Sequence, residues 1–215
     1  AVDLLTLSHS STNPVDRFQP LTCYGAYVLP GDGGDPMAIV ARKTVLASGG
    51  LGQVFQYSTN RSGTVGHGIA MSYRVGARLI DLEYIQFHPT VFFDQAAPRF
   101  LVTEALRGEG AELVNRQGEA FMKAVHPRGS LAPRDVVSRA IHQEMAANGE
   151  PNVWLDTSAM TSEFLARRFP FIRDRCSEFG IEVGKDLIPV VPAAHYSCGG
   201  VHTDLHGRTN VRHLN

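Results

Sequence analysis

The chain has 215 residues, a formal net charge of −1, 43% hydrophobic and 19% charged residues. That length can bury one large domain or one and a half ordinary ones. No basic excess points to nucleic acid, and no acidic tail points to a basic partner. The apolar runs are too short to span a bilayer. Cys23, Cys176 and Cys198 are odd in number and lack C-x-x-C spacing, which fits a reduced, cytoplasmic setting.

The opening Ala1-Val2-Asp3-Leu4-Leu5 has no initiator Met and no charged leader, and it reads as the middle of a strand. An internal piece of a longer protein is therefore expected, and Ala1–Leu7 is predicted as its first strand. Cys23–Leu29 and Met37–Ala41 form a predicted hairpin around Gly31-Asp32-Gly33-Gly34. Lys43–Ser48 is a predicted apolar strand ending at Gly49-Gly50. A helix is predicted from Gly66 to Gly76, with Ile69, Ala70, Tyr73 and Val75 as its apolar face. After Asp81 the texture becomes irregular and punctuated by prolines, around two helices. One begins near Thr103. The other spans Pro133–Asn148 and is closed by Gly149, with Val136, Val137, Ala140, Ile141 and Met145 in helical period. Thr161–Phe179 is helical with a break at Pro170, and strand and turn return from Val190. The fold class is α+β. Residues 1–84 and 198–215 form one β-rich unit, and residues 85–197 form a domain inserted into it.

The chemistry concentrates in the insertion. Arg134 follows Pro133, a typical first helical residue, so it stands at a helix N-terminus that is already partly positive. Free N–H groups, the dipole and a guanidinium together suit a carboxylate. The alternative is that Asp135 or Glu104 simply pairs with Arg134. Glu104 and Arg107, three apart, share a helix face and can pair, as solvated surface residues often do. His88 precedes Pro89 and is extended. His195 stands before Tyr196-Ser197-Cys198-Gly199-Gly200, where glycines allow close backbone approach to a ligand. Each histidine can donate to a carboxylate or can be a satisfied core residue. A zinc site from Cys198, His202, His206 and His213 is disfavoured by Gly199, Gly200 and Gly207, and no metal is expected. A dinucleotide fingerprint is missing, since Gly50-Leu51-Gly52 has Phe55 where the third glycine belongs.

Four segments in fixed order carry a family resemblance. They are Gln86-Phe87-His88-Pro89-Thr90, Thr103 to Gly110, Leu131-Ala132-Pro133-Arg134-Asp135, and His195 to Val201. With Val45–Gly50 and Gly68–Met71, they resemble the fumarate reductase and succinate dehydrogenase flavoprotein family, and within it the branch that oxidises L-aspartate. The resemblance implies that residues 85–197 are a capping domain of mixed helices and short strands, inserted in a partial FAD-binding domain. It implies a site for L-aspartate or another C4 dicarboxylate, and flavin-dependent oxidation of L-aspartate to iminoaspartate for NAD biosynthesis, with quinolinate synthase consuming the product. His88, Thr103 and His195 would bind substrate carboxylates. Arg134 would act over the reacting carbons, with Glu104 and Arg107 as its polar or proton-relay neighbours. Ser48, Gly49, Gly50 and His67 would lie at FAD, although the family has Asp where His67 stands. The family's glycine-rich FAD fingerprint is not among these residues, so the chain by itself is expected to be colourless and inactive. Its open strand edges are expected to pair with a second copy. The competing expectations are a fumarate reductase or succinate dehydrogenase flavoprotein subunit, and a non-catalytic dicarboxylate-binding domain.

Overall fold

The computed structural model describes residues 1–31, 33–95 and 99–215. In chain order its elements are β1 (Asp3–Thr6), α1 (Leu7–Ser10), β2 (Cys23–Val28), β3 (Met37–Val40), α2 (His67–Arg74), β4 (Leu79–Ile80), β5 (Ile85–Phe92), α3 (Glu104–Gly108), β6 (Glu112–Val114), α4 (Met122–Val125), α5 (Arg134–Asn148), β7 (Val153–Asp156), α6 (Ser162–Arg168), α7 (Pro170–Ser177), β8 (Ile188–Ser197) and β9 (Gly200–Val201). The chain divides into two compact units. The first holds residues 1–54, 61–85 and 196–215, and the second holds 55–60 and 86–195.

In the first unit, β1, β2 and β3 form an antiparallel sheet in that order. β2 and β3 are the expected hairpin, paired from Gly25 with Val40 to Val28 with Met37, while Asp32 of the expected turn lies outside the described residues. β1 buries alternate residues, Leu4 and Thr6, as a half-covered strand does. β3 is exposed along its whole length and forms the sheet's edge. The core gathers Leu4, Cys23, Met71, Val75, Ala77, Val211 and Leu214. The expectation for the apolar face of α2 is corrected. Tyr73 is exposed, and the buried stripe is Gly68, Met71, Ser72 and Val75, because the small residues Gly68 and Ser72 let the helix lie close to its neighbours. Lys43–Ser48 is also corrected from strand to an extended segment. Thr44 forms only an isolated parallel bridge with Leu214, and Leu46 N–H donates to the Asn215 carbonyl.

Gly25 sits at φ 136°, and a Cβ there would lie 1.9 Å from the backbone oxygen of Ile39. Gly25→Ala should therefore separate β2 from β3 and destabilise the fold by about 3 kcal/mol. A urea titration should show a lower midpoint at an unchanged slope, and an unshifted midpoint would contradict this reading.

The second unit is built on a four-stranded sheet of order β5-β8-β7-β6, with β6/β7 and β7/β8 antiparallel. The irregular texture expected after Asp81 is thus corrected. β5 contains Pro89, which the edge of the sheet accommodates, while β6 and β7 are too short to show clear alternation. α5 lays Val137, Ala140 and Ile141 on this core and ends at Gly149 with φ 66°. Pro170 breaks the following helix into α6 and α7, as expected. Residues 55–60, expected in the first unit, cluster with the second. Tyr57 and Thr59 exchange backbone hydrogen bonds with Ala194, and the rings of Phe55 and Phe87 meet edge to face at 5.3 Å. Among the described residues no helix is long and apolar enough to cross a membrane.

Candidate functional site

In the second unit, β5 supplies Gln86 and His88, β8 supplies His195, α3 supplies Glu104 and Arg107, and α5 begins with Arg134. These side chains meet. Arg134 Nε donates to Glu104 Oε2 at 2.7 Å, and its Nη1 donates to Gln86 Oε1 at 3.0 Å. Arg107 Nη2 lies 3.9 Å from the same Glu104 oxygen, so one carboxylate serves two cations. The rings of His88 and His195 stand 5.6 Å apart.

Arg107 is fully buried at 2% exposure and donates from Nη1 to the Ser130 carbonyl at 2.6 Å. Among the described residues its Nε and Nη2 have no hydrogen-bond partner, an unusual state for a buried guanidinium and a costly one unless an anion or water supplies the acceptors. Burial opposes ionisation of Glu104, but the Arg134 hydrogen bond and the two cations outweigh it and keep the carboxyl below its usual range. α5 has Pro133 as its N-cap, with no side-chain cap for its first N–H groups. Thr103 caps α3, accepting from Ala105 N–H at 3.3 Å, which places it one residue before Glu104.

Both imidazoles are held neutral. Burial, then the positive charges of Arg134 and Arg107, push His88 down to about 4. Burial and Arg134 also lower His195. The stability consequence has a definite sign. Unfolded, His88 binds its proton near 6.5, and folded, near 4, so the unfolded state gains protons first as pH falls. Stability supplied by neutral His88 is complete above this window and is lost through it, by about 3 kcal/mol. Thermal midpoints measured from neutral to acid pH should fall less steeply for His88→Gln than for the parent. Parallel curves would contradict the assignment.

The first unit holds a separate cavity of about 470 Å³. Its walls include Ser48, Gly49 and Gly50 and, from the other end of the chain, Cys198, Gly199 and Gly200. A Cβ on Gly50 would lie 2.3 Å from Ser197 Oγ, and one on Gly199 would lie 2.1 Å from the Asp81 carbonyl. Glycine at these positions lets the backbone lie directly against Ser197 and Asp81 in the cavity wall. Ser197 Oγ also accepts from Leu51 N–H at 3.1 Å, tying the two walls together. α2 contributes Ile69 to the wall, and His67 is exposed on its first turn. Among the described residues no cluster of His, Cys, Asp or Glu could hold a metal ion.

Sequence reasoning did not single out Gln86 as the partner of Arg134, although it stood inside a quoted motif. Ser130 beneath Arg107 left no local signal. Nor did Thr59 and Asn60, which contact His195 from 136 and 135 residues away.

The family described as FAD binding domain matches residues 2–214. The L-aspartate oxidase of Pseudomonas aeruginosa is 51% identical over 189 residues, covering 88% of this chain and 35% of that protein. The L-aspartate oxidase of Yersinia pestis is 45% identical over 211 residues, covering 98% of this chain and 39% of that protein. Among solved structures, a quinol-fumarate reductase with menaquinol molecules superposes with a TM-score of 0.80 at 30% identity, over 99% of this chain and 38% of its own. Mycobacterium smegmatis Sdh1 in complex with UQ1 gives 0.71 at 35% identity, over 90% of this chain and 33% of its own. The chain thus spans little more than a third of the length of these curated relatives.

Proposed function

The chain belongs to the FAD-binding domain family, and from that footing we propose that it serves the flavin-dependent oxidation of L-aspartate to iminoaspartate, with the second unit as the substrate-binding cap. The observation that carries this reading is the shared Glu104 between Arg134 and the buried Arg107, beside two neutral imidazoles. The cluster keeps a net positive charge and is rich in donors, which matches a dicarboxylate that only accepts. Identity of 45–51% to L-aspartate oxidases, against 30–35% to the fumarate reductase and Sdh1 chains, supports aspartate over succinate or fumarate as substrate.

Oxidation removes a hydride from Cα and a proton from the amino group. FAD, when bound, supplies the acceptor for the hydride. Ser48, Gly49 and Gly50, with Cys198, Gly199 and Gly200, would hold its ring through their peptide edges, and His67 would contact it from the start of α2. His88, Thr103 and His195 bind the two carboxylates. Arg134, held by Glu104 and Gln86, would stand over the reacting Cα–N unit. A guanidinium is an unusual base, so stabilisation of charge carries the larger share of its role, and the Glu104 carboxylate, with Arg107 as its polar neighbour, would take up the proton that the amino group releases. The product feeds quinolinate synthase in NAD biosynthesis, in the cytoplasm. The exposed edge of β3 supports pairing with a second copy.

The test is a steady-state comparison of L-aspartate and succinate as electron donors, with the flavin-loaded protein at the length of its relatives. L-Aspartate should be the far better donor. Faster turnover of succinate would transfer the site to the succinate dehydrogenase type.

A further inference from the structure

The two histidines of the cluster differ in how their protons are fixed. His88 Nδ1 accepts from the backbone N–H of Thr90 at 3.3 Å. A peptide N–H can only donate, so the neutral His88 ring carries its proton on Nε2. His195 has no such amide. Its Nδ1 lies 2.8 Å from the hydroxyl of Thr59, a group that can donate or accept.

Thr59 is held firmly for this contact. Its own N–H donates to the Ala194 carbonyl at 3.0 Å, and Ala194 N–H donates to the Tyr57 carbonyl at 2.9 Å. The next residue, Asn60, donates from Nδ2 to the His195 carbonyl at 2.8 Å. Residues 57–60 therefore clamp both the backbone and the ring of His195 from a distant point in sequence. This accounts for the passage of the short stretch 55–60 through the second unit.

We propose that Thr59 is the positioning residue that sets the tautomer of His195: its hydroxyl donates to Nδ1, so Nε2 carries the proton and faces the substrate as a donor. Among the described residues, His195 Nδ1 is the group with which this hydroxyl shares a hydrogen bond. The reverse arrangement would aim a lone pair from Nε2 at the ligand and would repel a carboxylate. This second argument rests on the dicarboxylate reading above. With Thr59 donating, His88 and His195 become a matched pair of neutral Nε2–H donors, 5.6 Å apart between ring centres. The bond made by one ring nitrogen decides what the other can do, and here the first bond comes from outside the binding site.

The experiment uses the flavin-loaded protein at the length of its relatives, with 15N-labelled histidine. Nitrogen shifts of His195 report the tautomer directly, and they do so whether or not L-aspartate is oxidised. The parent and Thr59→Ser should show protonated Nε2 and an acceptor-type Nδ1, while Thr59→Val should show mixed tautomers. In parallel, Thr59→Val should raise KM for L-aspartate roughly tenfold with kcat little changed, and Thr59→Ser should restore it. A parent ring protonated on Nδ1, or an unaltered KM in Thr59→Val, overturns the proposal. The expected nitrogen shifts in a protein that ignores L-aspartate would leave the tautomer assignment standing and defeat the functional reading instead. Should Thr59→Val fail to fold, the spectra of the parent and of Thr59→Ser decide the matter.

Discussion

Replacing Arg134 with leucine is expected to lower kcat for L-aspartate by about a thousandfold while FAD stays bound. The reason lies in what the side chain holds and what it faces. Nε and Nη1 are anchored on Glu104 and Gln86, so the guanidinium is fixed before substrate arrives. Charge that needs no reorganisation at the moment of reaction is the kind that lowers a barrier. The cavity in the first unit, which we propose for the flavin, is walled by other residues, so flavin binding there should survive the change. Arg134→Lys keeps the charge but loses the fork that grips Glu104 and Gln86 together, and it should fall between the parent and Arg134→Leu. A visible spectrum showing bound flavin, together with a kcat near the parent's, would remove Arg134 from the chemistry.

Discrimination by the second carboxylate is the other large effect. L-Aspartate should exceed L-alanine in kcat/KM by about four orders of magnitude. A site built to bind an anionic group rejects an analogue that lacks it, because its buried donors are then left without acceptors. His88 is the clearest case, since among the residues assigned to the carboxylates it is almost fully buried, at 1% exposure. Comparable kcat/KM values for the two amino acids would mean that the cationic cluster does not read the side-chain carboxylate.

Much of this site could be read from the sequence because its residues sit at local landmarks. Pro133 and Gly149 bracket α5 and so place Arg134 at a helix start. Thr103 is the N-cap of α3 and fixes the phase of Glu104 and Arg107. Legibility ended where long-range pairing decides structure. Pro89 masked β5, since only the sheet order shows that this strand lies on an edge that tolerates proline. β6 is three residues long and leaves almost no period to detect. The extended form of Lys43–Ser48 depends on residues 213–215, and its local apolar run suggested a full strand. The buried face of α2 was misread because Gly68 and Ser72 bury by being small, which hydrophobic periodicity does not register. The tie from Thr59 to His195 crosses 136 residues, and no local pattern announces it.

The most direct test of the central claim is a single turnover without oxygen. The flavin-loaded protein at the length of its relatives is mixed with L-aspartate, and the visible flavin band is followed. The account predicts rapid bleaching by stoichiometric L-aspartate, much slower bleaching by succinate and essentially none by L-alanine. A band that stays oxidised in the presence of saturating L-aspartate would contradict it.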